Sequence, residues 1–193
     1  KVLQSGTKIG SIAGVGTVSG AVDPQDPNTV YVGTTENGIL YTLDAGESWQ
    51  LAKGMSIGRV AAIAVSSKDK CVVFAARSNQ IFKTENCSRD WNQVYFDPRT
   101  DKRFTSLVVD WYNPRTVFAG TNDGDIVRSE DGGTSWRVVH RVDGVAINTL
   151  AMDPRDSRTL YAATNGSGIG KTSDGGQTWA MIRQPFQDFD FAR

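Results

Sequence analysis

Tryptophans recur in this chain at Trp49, Trp91, Trp136 and Trp179, spaced 42, 45 and 43 residues apart, and only Trp111 falls outside the series. An aromatic residue inside a short apolar run recurs at Tyr31, Phe74, Phe118 and Tyr161, at intervals of 43, 44 and 43. Asp23, Ser66, Asp110 and Asp153 repeat the same three intervals. Independent markers therefore define a unit of about 43 residues. A unit that short cannot bury both of its faces alone, so units of this kind must stack and share their cores.

Each unit reads as a run of short strands. In the third, RFTSLVVD leads through Trp111 to Arg115 into TVFAGT, then through Asn122-Asp123-Gly124 into DIVRSE, and through Asp131-Gly132-Gly133 into SWRVVH. The runs are rich in β-branched and aromatic residues and are separated by Asn, Asp, Gly and Pro, the pattern of an antiparallel meander. No segment of about twelve residues carries helical periodicity. The unit length and its strand content predict an all-β fold, a β-propeller of four-stranded antiparallel blades. A β-solenoid is the alternative, but wide solenoid turns rarely keep hairpin-linked strands.

The expected blades run over residues 15–53, 58–97, 103–141 and 145–184. Residues 1–14 are expected to end a preceding blade and 185–193 to begin a following one. The units account for roughly 172 residues, so residues 1–193 read as a single partial propeller, an open arc of a ring with about seven blades.

Composition narrows the function classes. The 193 residues hold 21 Lys plus Arg against 21 Asp plus Glu and are 39% hydrophobic, which is globular. Nothing approaches the roughly 20 apolar residues of a membrane-spanning helix. The balanced charge lacks the basic excess of a nucleic-acid binder, so no nucleic acid is expected as partner.

The turn before each repeated Trp has a common form: Ser or Thr, any residue, Asp, any, Gly, two more, then Trp. Its copies are Thr42, Asp44, Gly46, Trp49; Thr84, Asn86, Ser88, Trp91; Ser129, Asp131, Gly133, Trp136; and Thr172, Asp174, Gly176, Trp179, of which the second is degenerate. An Asp carboxylate there can accept hydrogen bonds from the turn's own N–H groups, Gly permits positive φ, and Trp folds back over the hairpin. The form resembles the Asp-box, or BNR, repeat of sialidases, sortilin-type receptors, xyloglucan-degrading glycosidases and the photosystem II assembly factor family. Because it recurs in every blade, these residues are expected to be structural rather than catalytic.

Other matches fail once placed on the repeat. Gly170-Lys171-Thr172 has Asn165 where a P-loop needs its first Gly, and lies in a strand. Gly14-Val15-Gly16 has no helix after it. Asn122-Asp123-Gly124-Asp125 lacks calcium-loop spacing and reads as a hairpin turn. The sole histidine, His140, has no metal-ligand companion and reads as a surface or edge residue, so neither metal nor cofactor is expected. A sialidase resemblance implies an Arg-Ile-Pro motif that is absent. Asp188 and Asp190 share one strand face with no partner for the two-carboxylate chemistry of glycosidases.

Cys71 and Cys87 fall at the start of a second strand and in the degenerate turn of the same blade, which a meander brings to one end. A disulfide is expected there, two free thiols being the alternative; it would compensate the lost Asp and Gly and imply an oxidising compartment. The stretches DPQDPNTVYVGT, KCVVFAA, KTENCSRDWNQVYFD and SEDGGTSW resemble bacterial secreted or lipid-anchored propellers with YVTN/WD40-like and BNR repeats. That resemblance implies an extracytoplasmic location, periplasmic, cell-surface or secreted. It also implies membrane association only through an anchor outside these residues.

The end of the propeller opposite those turns collects a basic rim, Arg59, Arg77, Arg99, Lys102, Arg103 and Arg141, with Lys53 nearby and Glu36 and Asp123 interspersed. The connection from Tyr95 to Phe104 is the loop expected to meet a partner. Noncatalytic binding or scaffolding of a protein or glycan is the expected function. The alternatives are a fragment of a glycosidase or sialidase-like propeller, and an assembly factor for a membrane complex.

Overall fold

The computed structural model describes residues 8–55 and 57–182, and all of its regular structure is β. A short strand β1 (Lys8–Ile9) comes first. Blade 1 holds β2 (Thr17–Val22), β3 (Val30–Thr34), β4 (Ile39–Thr42) and β5 (Trp49–Leu51); blade 2 holds β6 (Val60–Val65), β7 (Val73–Arg77), β8 (Gln80–Thr84) and β9 (Asn92–Phe96). Blade 3 holds β10 (Phe104–Val109), β11 (Val117–Thr121), β12 (Asp125–Ser129) and β13 (Arg137–Arg141); blade 4 holds β14 (Ile147–Asp153), β15 (Asp156–Thr164), β16 (Ile169–Thr172) and β17 (Ala180–Ile182). Within every blade neighbouring strands pair antiparallel in chain order.

Alternation along the second strands builds the shared cores. On β7, Val73 and Ala75 pack with Tyr31, Ile39 and Met55 of blade 1, whereas Phe74 and Ala76 pack with Leu107, Val117 and Val127 of blade 3. On β11, Val117 and Ala119 face blade 2 and Phe118 faces Ile147, Leu150 and Leu160 of blade 4. A strand buried on both faces needs an unbroken apolar run, and VFAA and VFAG supply it. The fourth strands β9 and β13 lie at the edge of their sheets and are largely exposed.

The recurrent aromatic of each second strand carries a neighbour on its ring, and in blades 2 and 3 it is clamped from two sides. Its register partner on the third strand sits over the ring: Lys83 over Phe74 at 5.5 Å, Arg128 over Phe118 at 5.4 Å, Lys171 over Tyr161 at 5.5 Å. In blade 1, Tyr41 stacks on Tyr31 at 6.1 Å. From the other side comes the third turn of the following blade. A Cβ on Gly133 would lie 3.0 Å from the Phe74 ring, and one on Gly176 2.8 Å from the Phe118 ring. Both glycines also have positive φ, 96° and 87°, so the turn conformation and the close approach each require Gly.

The third turns share one hydrogen-bond pattern. The Thr42, Thr84, Ser129 and Thr172 hydroxyls accept from the N–H four residues on, at 2.9, 3.1, 2.8 and 3.0 Å. The side chains of Asp44, Asn86, Asp131 and Asp174 also accept from the N–H four residues on, at 2.8 to 2.9 Å. The indoles of Trp49, Trp136 and Trp179 donate back to the carbonyls of Gly46, Gly133 and Gly176. Blade 2 departs from this. Its Trp91 indole N–H has no partner among the described residues, and its two positive-φ turn residues are Cys87 and Ser88 instead of glycine. A Cys71–Cys87 disulfide ties this turn to the start of the second strand. The third marker series also has a cause: the side chains of Asp23, Ser66, Asp110 and Asp153 each accept from the N–H two residues on, closing the first turn.

The amino-terminal segment, expected to end a preceding blade, places Lys8 and Ile9 antiparallel to Gln50 and Trp49, making the first sheet five-stranded. Beyond β1, Ile12 and Val15 pack on the apolar face of Leu40, Trp49 and Leu51. The segment thus covers the nearest unpaired strand edge and unshared apolar face, two surfaces that favour any available chain. The blade start expected at 185–193, with Asp188 and Asp190, lies outside the described residues.

Because the disulfide closes a loop with a sequence separation of 16 around a turn without glycine, Cys71→Ser is expected to destabilise the fold by about 3 kcal/mol. Urea unfolding with and without reductant checks this: reductant should shift the midpoint of the native chain and leave that of the variant unchanged.

Candidate binding face

The first and third turns of every blade emerge at one end; the second turns and interblade connections emerge at the other. The second-turn end carries most of the charge geometry. Three cations, Arg99, Lys102 and Arg141, converge there on three carboxylates, Asp97, Asp123 and Asp125. Lys102, only 1% exposed, places Nζ 2.6 Å from Asp125 Oδ2 and 3.1 Å from Asp97 Oδ2. Arg99 donates to Asp97 at 3.0 Å, Asp123 at 2.9 Å and Asp125 at 3.1 Å. Arg141 donates through Nε and Nη2 to the fully buried Asp125, its register partner, at 2.5 and 2.9 Å.

The electrostatics follow from the contacts. The Arg99 hydrogen bond, helped by Lys102, holds the Asp97 carboxyl well below the usual carboxylate range. Burial pushes Asp125 upward, but the hydrogen bonds from Arg141, Lys102 and Arg99 outweigh it and leave that group strongly lowered too. Both therefore stay ionised and hydrogen-bonded at neutral pH. They form a staple joining the connections after blades 2 and 3 to the second turn of blade 3, not an acid–base pair. The third-turn carboxylates are likewise engaged: the Ser135 hydroxyl and N–H hold Asp131 down to about 2.

The basic rim is accordingly corrected. Arg99, Lys102 and Arg141 are neutralised in the staple. Arg77 lies over the Phe82 ring at 4.9 Å and donates to Gln80 Oε1 at 2.9 Å. The 95–104 connection is drawn inward by Asp97, Arg99 and Lys102 instead of standing free. What remains is Arg59 and Arg103, both exposed and without an ion pair among the described residues. They border a cleft of about 670 Å³ where the first strands of blades 1 to 3 begin, walled by Val18, Ala61, Phe104 and Thr105 and closed by Ser78 in the second turn of blade 2. Arg103 is held in place: Nη1 donates to the carbonyls of Thr100 and Lys102 at 2.7 and 2.9 Å, and its backbone N–H to Asn122 Oδ1.

Two other sequence features find their place. His140 is half-buried and stacks on Trp179 of blade 4 at 5.5 Å, and burial lowers its pKa, so it belongs to a blade interface and not the open surface. Trp111, outside the tryptophan series, sits with Tyr112 in a first turn at the opposite end. A chain of contacts crosses blades there: Gln25 donates to the Ser67 carbonyl, Ser67 to that of Trp111, and Tyr112 to that of Pro154. Among the described residues no group of His, Cys, Asp and Glu is arranged to hold a metal.

No family model matches the chain. It is 25% identical over 167 aligned residues to the xyloglucanase Xgh74A of Acetivibrio thermocellus, covering 64% of this chain and 20% of that protein. A solved structure of an ancestral GH74 enzyme is similar with a TM-score of 0.78 and 22% identity, covering 95% of this chain and 26% of that one. An auxiliary nutrient binding protein from Bacteroides thetaiotaomicron is similar with a TM-score of 0.66 and 12% identity, covering 86% and 40%. The fold is that of a β-propeller. The chain spans about a fifth of the length of the curated relatives it matches.

The propeller's charge staple has a pH signature. Asp97 and Asp125 have folded pKa values below their ordinary 3.8, so the unfolded chain binds more protons in acid. Their contribution is complete above about pH 5 and is lost as the pH falls further. Melting temperature should therefore be flat near neutrality and drop in acid. Lys102→Met, which removes the buried one of the three cations that serve Asp97 and Asp125, should cost about 3 kcal/mol at pH 7 and flatten the acid limb. An unchanged melting curve would contradict the staple.

Proposed function

We propose that this chain is a noncatalytic binding segment of an extracytoplasmic propeller, holding a protein or glycan ligand at the cleft bordered by Arg59 and Arg103. The observation that carries this reading is the chemistry of that cleft: two arginines, apolar walls, two hydroxyls and no carboxylate in the lining. Glycoside hydrolysis generally needs two carboxylates, one of them with a raised pKa. The carboxylates of the neighbouring staple are lowered and already bonded to cations. The turns are taken as Asp-boxes, scaffold and not site. The disulfide supports an oxidising compartment.

A second reading, a segment of a glycan-degrading enzyme, is favoured by the likeness to a xyloglucanase. In that case acid and nucleophile come from parts of a longer chain.

Incubation with xyloglucan and a panel of sialylated and uronic-acid glycans, followed by reducing-end and free-sialate assays, separates the two. The binding reading predicts retention of a glycan or a protein partner with no product above the buffer control. Product release by the purified chain would overturn it.

A further inference from the structure

At the second-turn end, the charges of the staple are spent on one another. Arg99, Lys102 and Arg141 balance Asp97, Asp123 and Asp125 one for one, so the staple presents no net charge. The whole chain is neutral as well. Against that background Arg59 and Arg103 stand as two guanidinium groups on one cleft with no counter-charge in its lining. Arg103 is fixed by two carbonyl contacts through Nη1, which leaves Nε and Nη2 to donate elsewhere. Like charges collected in a partly enclosed cleft focus the potential there and select an anion.

From this geometry we infer that the cleft recognises carboxylates of an acidic peptide segment, each guanidinium taking one carboxylate in a bidentate fork. The inference rests on the binding reading above and names its ligand class. Fork pairing suits a planar carboxylate, and Arg offers it where Lys does not. The walls favour peptide over sugar: Phe104, the one aromatic residue in the lining, is only 1% exposed, so no ring is presented for a sugar to stack on. Val18 and Ala61 offer instead small apolar surface, and Ser78 offers a hydroxyl within the same cleft, that of Thr105 being donated to the Ile147 carbonyl. A cleft of about 670 Å³ holds a few residues of extended chain.

Fluorescence anisotropy with a labelled octaglutamate peptide tests the inference, using the whole chain. Octaglutamate should bind, and the affinity should fall steeply between about 0.05 and 0.5 M NaCl. Octalysine and a Gly-Ser peptide of equal length should not bind. Arg59→Ala and Arg103→Ala should each raise the dissociation constant about ten-fold, and the double variant should abolish binding. Arg155→Glu, an exposed charge in a first turn at the opposite end, should bind as the unaltered chain does. Circular dichroism and melting of each variant separate lost binding from lost fold, and Arg103→Lys, which keeps charge without the fork, should recover only part of the affinity.

Absence of octaglutamate binding, or binding indifferent to both arginines, overturns the inference. Tighter binding of oligogalacturonate than of octaglutamate also overturns it, because the ligand is then an acidic glycan. Any of these outcomes leaves the wider binding reading in place if a partner is still retained without hydrolysis.

Discussion

The contact on which the arc depends is the one between the second-strand aromatic of one blade and the third-turn glycine of the next. Phe74 meets Gly133 and Phe118 meets Gly176 at distances where a β-carbon would press on the ring. The same rings carry Lys83 and Arg128 on their other side, so each is held between a cation of its own blade and the backbone of its neighbour. A ring fixed in this way sets both the spacing and the rotation between blades. The interval between repeats accordingly stays within 42 to 45 residues, whether measured from the aromatic or from the turn markers. Tyr161 of blade 4, with Lys171 over it, is half-buried where the earlier rings are wholly buried, and no following turn packs on it among the described residues.

This contact also decides where function can sit. The third-turn end is committed to the joints: its hydroxyls, carboxylates and indoles are spent on their own hairpins, and blade 2 keeps the joint with a disulfide where glycine is missing. The second-turn end carries no comparable constraint. There the chain varies from blade to blade, the salt-bridge staple fixes one sector, and the cleft beside it holds Arg59 and Arg103.

Much of this was legible in the residues. Period, strand count and the turn form follow from Trp49, Asp44 and their repeats, because local turn chemistry and alternation are short-range properties. Cys71 and Cys87 could be paired because a meander fixes which turns share an end. The ion pairing within the rim is not legible there. Asp97 and Asp125 are the missing partners. Their signals were weak: an Asp opening a strand just before Ile126 and Val127, and an Asp two residues from an Arg. Which cations a buried carboxylate captures depends on how three connections meet in space, a relation that no single repeat contains. The pairing of Lys8 and Ile9 with β5 was hidden for a similar reason, since a free edge is a property of the assembled sheet.

A double-mutant cycle on Phe118 and Gly176 tests the blade joint most directly. Gly176→Ala alone introduces a strained φ and drives a methyl into the ring; Phe118→Leu alone loses packing; Phe118→Leu in the Gly176→Ala background makes room for that methyl. Equilibrium urea unfolding should show the double variant less destabilised than the sum of the singles by about 1 kcal/mol or more. Additivity within about 0.3 kcal/mol would mean that ring and turn do not press on one another, and would contradict the account.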